Sequence, residues 1–270
     1  MRVRRGAVEL HVTDTGGDGS PVVLLHGLAG SSTEMGPTAA ALTGHRALTI
    51  DARGHGRSTR VPADTSREAH VADVVHVIET VVGEPVALVG QSMGGHTAML
   101  VAADRPDLVN RLVLLEAGVG GDGSAESRAD LHRFFSSWPR PFATEADARA
   151  RLGDAALSRA WIDDLERRPD GLWPRFDIDV MVETIKHVDA GPRWDEWCRL
   201  ELPTLAVFGA NGMFSAAAQL ELVARGHRVS RVELDGGSHD AHLDAFAQWM
   251  SVLSPFLARA ATTPDSSVRE

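Results

Sequence analysis

The first residues in this chain with the types and spacing for chemistry are Gly90-Gln-Ser92-Met-Gly-Gly95, a G-x-S-x-G pattern. A serine hydroxyl is a potential nucleophile but a weak one unless a base takes its proton. Neutral imidazole is the side chain best matched to that task near pH 7. His239, within Gly236-Gly-Ser-His-Asp240, lies in a glycine-rich approach that can carry it over the serine. A third segment, Leu25-His-Gly-Leu-Ala-Gly30, bends where a backbone N–H can be aimed at the same hydroxyl. The plainer reading of Ser92 is a simple βα turn, where small residues also collect.

These groups matter only if the chain brings them together. Near-continuous apolar runs at 21–25, 85–89 and 203–208 each end at or beside a glycine, as buried parallel strands do. Further strands are expected at 46–50, 112–115 and 229–234. An antiparallel edge strand is expected at 8–13, where apolar and polar residues alternate. Helical patterns cover 66–82, 93–105, 216–226 and 242–259, with Ser66 as an N-cap and Gly226 as a stop. Strand then helix, repeated, implies an α/β fold with a mostly parallel, doubly wound sheet. Ser92 then stands on a sharp strand-to-helix turn, where a helix N-terminus favours negative charge.

One segment breaks the rhythm. From 118 to 200 no strand is expected, and the segment opens on the glycine-rich run Gly118-Val-Gly-Gly-Asp-Gly123. It holds Phe134, Phe135, Trp138, Phe142, Trp161, Trp173, Phe176, Trp194 and Trp197, most of the aromatic residues in a chain with 8 Phe, 6 Trp and no Tyr. It reads as a helical cap inserted after a core strand, with some rings lining a pocket and the others forming its own core. The expected organisation is core at 1–117, cap at 118–199, core at 200–262 and a flexible Thr/Pro/Ser/Asp-rich tail at 263–270.

Composition narrows the partners. The net charge of −10 opposes binding to phosphate backbones, so nucleic acid is excluded as an expected partner. No apolar run approaches the roughly 20 residues that span a bilayer. The N-terminal arginines are followed by no apolar stretch of the kind a secretory leader carries, so a cytoplasmic location away from membranes is expected. The single cysteine, Cys198, can form no internal disulfide, and no Cys/His cluster suggests a metal.

Taken together, Leu25-His-Gly-Leu28, Asp51-Ala-Arg-Gly-His-Gly-Arg-Ser58, Gly90-Gln-Ser-Met-Gly-Gly95 and Gly237-Ser-His-Asp240 occur in the order of the α/β-hydrolase superfamily. The chain resembles its esterase, lipase and dehalogenase-like branch over nearly its whole length except the cap. The resemblance implies Ser92 as nucleophile, His239 as general base, and the backbone N–H groups of Leu28 and Met93 as an oxyanion hole. It implies a structural role for the Asp51, Arg53 and His55 loop and for His26.

The triad acid departs from the common family pattern. The loop after the 203–208 strand reads Gly209-Ala-Asn-Gly-Met-Phe-Ser215, with Asn211 where an Asp is usual. Asn is neutral and cannot balance an imidazolium. Some members carry the acid one strand earlier, where this chain has Leu112-Val-Leu-Leu-Glu116. An ionisable group ending a buried strand is costly unless paired, so Glu116 is assigned as the acid. Asp189, Asp195 and Asp235 are the alternatives, and Asp240 is expected to point away. His96 is read as packing, Glu34 as a helix-start acid near the oxyanion loop, and Cys198 as buried.

The expected function is cleavage of a small or medium carboxylic ester, thioester or lactone through an acyl-enzyme, without metal or cofactor. Candidate pocket residues are Gln91, Phe134, Trp138, Trp161, Met213 and Phe214. C–C bond hydrolysis, perhydrolysis or acyl transfer would use the same groups, and a slow-turnover receptor can share the fold. Haloalkane dehalogenation needs a carboxylate where Ser92 stands. The oligomeric state is left open.

Overall fold

The computed structural model describes residues 1–121 and 123–258. Asp122 in the glycine-rich run, the last residue expected in the final helix and the expected flexible tail lie outside the described residues.

The chain begins β1 (Arg2–Arg5), β2 (Val8–Asp14), β3 (Ser20–Leu25), α1 (Ser32–Ala41), β4 (His45–Ile50) and α2 (Arg67–Val77), which continues as a π turn over Ile78–Val82. Then come β5 (Val86–Gln91), α3 (Met93–Asp104) and β6 (Val109–Leu115). The next segment contains α4 (Ala125–Ser136), α5 (Glu145–Leu152), α6 (Ala156–Asp163), β7 (Glu166–Arg168), β8 (Gly171–Trp173), α7 (Ile178–Val188) and α8 (Trp194–Trp197). The chain closes with β9 (Thr204–Asn211), α9 (Ala216–Arg225), β10 (Val229–Ser238), α10 (Ala241–Asp244) and α11 (Phe246–Ala258).

Eight strands form one sheet in the order β1-β2-β4-β3-β5-β6-β9-β10. Every pairing from β4 to β10 is parallel, and β1 and β2 are antiparallel additions. The apolar runs are explained by burial on both faces. On β3, Val23 and Leu25 join one core with α2 and α3, while Val22 and Leu24 join the other with α1 and α11. Alternate residues of β5, β6 and β9 divide the same way. Truncating one such side chain, for example Leu112→Ala, costs about 2–5 kcal/mol. A third aromatic core lies in the segment between β6 and β9, around Phe135, Trp138, Phe142 and Phe176.

Four expectations need correction. The strand at 8–13 is not the sheet edge: β1 pairs outside it and β4 inside it, and its alternation marks a half-buried strand. The segment after β6 is not purely helical, because β7 and β8 form a hairpin. Arg168-Pro-Asp-Gly171 is its turn, held by Trp173 Nε1 donating to Asp170 at 3.0 Å and by the Arg168 guanidinium over the Trp173 ring. Strands of three residues give no readable alternation. Trp194 and Trp197 pack into the main core with α3 and α9, not into the aromatic cluster. The last helical pattern is broken into α10 and α11 at Ala245 (φ −116°, ψ 35°). The short α10 lets Asp244 reach back to the Ser238 hydroxyl and backbone N–H.

Candidate active site

Ser92 joins β5 to α3 in a single residue. Its backbone is forced to φ 50°, ψ −119°. The glycines around it make this possible: a Cβ at Gly90 would fall 2.3 Å from the Gly94 carbonyl oxygen, and one at Gly94 would fall 2.4 Å from that of Leu25. Close strand–helix packing thus requires glycine on both sides. Among the described residues only Ala29, Ser92 and Glu116 are non-glycine residues with positive φ. All three lie on the loops that follow adjacent strands β3, β5 and β6. Backbone strain of this kind costs on the order of 1–3 kcal/mol per residue and clusters at functional sites.

Glu116 directly follows β6 and its side chain is fully buried. The C-terminal end of β9 and the loop after it, which have no carboxylate of their own, wrap around it. Gly209 N–H donates to Oε1 and Met213 N–H to Oε2, each at 2.8 Å. A Cβ at Gly212 would sit 2.0 Å from Oε1, so only glycine lets the loop close on the carboxylate. The remaining approach to Oε2 is taken by His239 Nδ1 at 3.2 Å. His239 follows β10 and is about a quarter exposed.

Gln91 is buried and turned away from the solvent side of Ser92. Its Nε2 donates to the His239 carbonyl at 3.0 Å and approaches Asp240 Oδ1 at 3.5 Å, while its Oε1 lies against Gly27. Behind it, Glu34, Asp240 and His242 form a buried to half-buried cluster, in which His242 Nε2 and Glu34 Oε1 are 2.9 Å apart. Burial, and next the Glu34 charge, push the Asp240 carboxyl above its ordinary value. Glu34 thus ties α1, just after the Leu28 loop, to α10, just after His239.

Ser92, Met93, Leu28, Glu116 and His239 all face one cavity of about 470 Å³. Phe134, Trp161, Met213 and Phe214 line it, as do Phe135, Leu131 and Ile185, which sequence reasoning did not select. Their helical spacing on α4 and α7 is the signal that was available. Gln91 and Trp138 do not line this cavity, correcting their assignment to it. Trp138 is only 4% exposed and packs edge-on against Trp161 and Phe135, bracing the lining rings from behind. His96, read as packing, is buried yet also forms part of the wall. Burial pushes its imidazole down to about 3.

The loop after β4 holds structure. Asp51 accepts N–H bonds from Ser32 and Arg57, Arg53 makes a buried two-point bond to Asp73, and His26 Nε2 accepts from Ala52 N–H at 3.0 Å. Of the alternative acids, Asp195 and Asp235 are exposed, and Asp189 pairs with Arg128. Among the described residues no helix is long and apolar enough to cross a membrane.

A strained serine on a strand–helix turn, a buried carboxylate against a histidine and an eight-stranded sheet define an α/β hydrolase. The model of the α/β-hydrolase fold family matches residues 20–246, and the chain belongs to that family of hydrolases. It is 28% identical over 250 residues to the mouse (Mus musculus) sn-1-specific diacylglycerol lipase ABHD11, covering 88% of this chain and 80% of the relative. It is 35% identical over 228 residues to a 2-hydroxy-6-oxononadienedioate/2-hydroxy-6-oxononatrienedioate hydrolase of Paraburkholderia xenovorans, covering 77% and 76%. The solved structure of an E-2-(acetamidomethylene)succinate hydrolase has the same fold, with a TM-score of 0.84 at 21% identity, over 96% of this chain and 98% of that one.

Proposed function

We propose that the chain hydrolyses a small or medium carboxylic ester, thioester or lactone through a covalent acyl-enzyme on Ser92. The observation that carries this is the Glu116–His239 contact at the rim of a cavity shared with a strained Ser92. His239 takes the Ser92 proton as the oxygen attacks the carbonyl carbon. Glu116 holds the imidazole tautomer and balances the imidazolium. Met93 is the first residue of α3, so its N–H has no partner within the helix. With the Leu28 N–H it binds the oxyanion, an interaction whose loss costs about 10²–10³ in kcat. His239 returns the proton to the leaving group, then takes one from water for deacylation.

The aromatic segment between β6 and β9 acts as a cap, with the substrate's apolar part between α4, α7 and the sheet edge. The mouse relative's name as a lipase agrees with an ester substrate. The chemistry uses only side chains and backbone N–H groups of this chain and a water, and the reading includes a cytoplasmic location. A panel of p-nitrophenyl esters of graded chain length, with a lactone panel, tests it. Many turnovers are expected on at least one ester, with Ser92→Ala lower in kcat by about 10⁴ or more. A single turnover per chain would point to a receptor, and unchanged activity in Ser92→Ala would remove Ser92 from the mechanism.

A further inference from the structure

Among the described residues, the cavity wall carries five ionisable side chains: His96, Glu116, Arg128, Asp189 and His239. Glu116 and His239 face each other. Arg128, on α4, is the one permanent cation among them. Its Nη1 lies 3.2 Å from Asp189 Oδ2 at the end of α7, with the Asp189 side chain 9% exposed. Asp189 is locked in place by a close backbone approach: a Cβ at Gly123 would fall 1.9 Å from its carboxylate carbon. His96 adds no charge, because burial, and next the nearby Arg67 charge, hold its imidazole neutral down to about pH 3. The rest of the described lining is apolar or uncharged.

A carboxylate entering this space leaves water and finds no uncompensated cation. Burying an ion without a partner is strongly unfavourable, and two carboxylates already occupy the wall. We infer that the site selects esters with an uncharged acyl chain and rejects those whose acyl chain carries a carboxylate, and that Asp189 enforces this by neutralising Arg128. This rests on the ester-hydrolysis reading above. It separates the chain from its 35%-identical relative, whose named nonadienedioate substrate is a dicarboxylate.

Two esters of matched length test it: p-nitrophenyl hexanoate and the mono-p-nitrophenyl ester of adipic acid, which differ in a terminal methyl against a terminal carboxylate. The wild-type kcat/KM is expected to favour the neutral ester by about 100-fold or more. Asp189→Asn frees Arg128 and is expected to move this ratio toward the carboxylate ester by about 10-fold or more. Arg128→Gln removes the only permanent cation among the described wall residues and is expected to move the ratio the other way, which keeps the test decisive should Asp189→Asn fail to fold. Equal wild-type kcat/KM for the two esters overturns the charge selection alone. So does a ratio indifferent to both substitutions. Failure to cleave either ester overturns the ester reading, and this inference with it.

Discussion

At the scale of single residues, the account turns on Glu116. Its carboxylate accepts from two backbone N–H groups and faces His239, so three interactions depend on one side chain. Glu116→Gln keeps the volume and removes the charge. The corresponding Asp→Asn change in a Ser-His-Asp protease lowers kcat about 10⁴-fold, and a fall of similar order is expected here. Asp195→Asn and Asp235→Asn, at exposed positions, are expected to change kcat less than about twofold. Steady-state kcat on one p-nitrophenyl ester decides. A Glu116→Gln enzyme with near wild-type kcat would mean that another group orients the imidazole. Gly212→Ala is a second probe of the same carboxylate. The added methyl has no room beside Oε1, so the loop must retreat, and kcat should fall while the thermal unfolding midpoint drops only modestly.

At the scale of elements, α1 and α10 bring the Leu28 loop and the His239 loop together through the buried Glu34–His242 pair. Removing one partner of a buried hydrogen-bonded pair leaves the other unsatisfied, at a cost of about 1–3 kcal/mol. His242→Ala is expected to lower stability by that amount in urea unfolding, and a wild-type midpoint would show the pair to be idle. The sequence made the parallel strands readable because burial on both faces yields unbroken apolar runs at 21–25, 85–89 and 203–208. It made Ser92 readable because the turn requires glycine two residues to either side, at Gly90 and Gly94. It marked a helix start at Glu34 but not the extent of α1, whose Gly36 and Pro37 disguise the rest of the helix, nor did it reveal the three-residue strands of the β7–β8 hairpin. Gln91 and Trp138 were misassigned because the side of a residue that faces a cavity is decided by partners distant in the chain. For Gln91 these are Gly27 and the His239 carbonyl; for Trp138 they are Trp161 and Phe176.

At the scale of the whole molecule, buried neutral histidines tie stability to pH. Burial is the first cause in each case. It pushes His55 and His96 down to about 3, and His70 well below its ordinary value. The folded state therefore keeps these imidazoles neutral while the unfolded chain protonates them near pH 6.5. The unfolded state binds more protons between those values, so stability is full above about pH 6.5 and declines as pH falls toward 3. Each such histidine adds a slope of up to about 1.4 kcal/mol per pH unit in that window. Urea midpoints are expected to drop between pH 7 and pH 5. A flat profile would show these rings to be protonated in the fold.

The central claim is that Ser92 becomes covalently modified because His239 and Glu116 activate it. Intact-mass spectrometry after reaction with a fluorophosphonate probe tests this most directly. One adduct per chain is expected, mapping to the peptide that contains Ser92. Labelling should be absent in Ser92→Ala and markedly slowed in His239→Gln and Glu116→Gln. An adduct on another residue, or labelling of Ser92 at the wild-type rate without His239, would contradict the account.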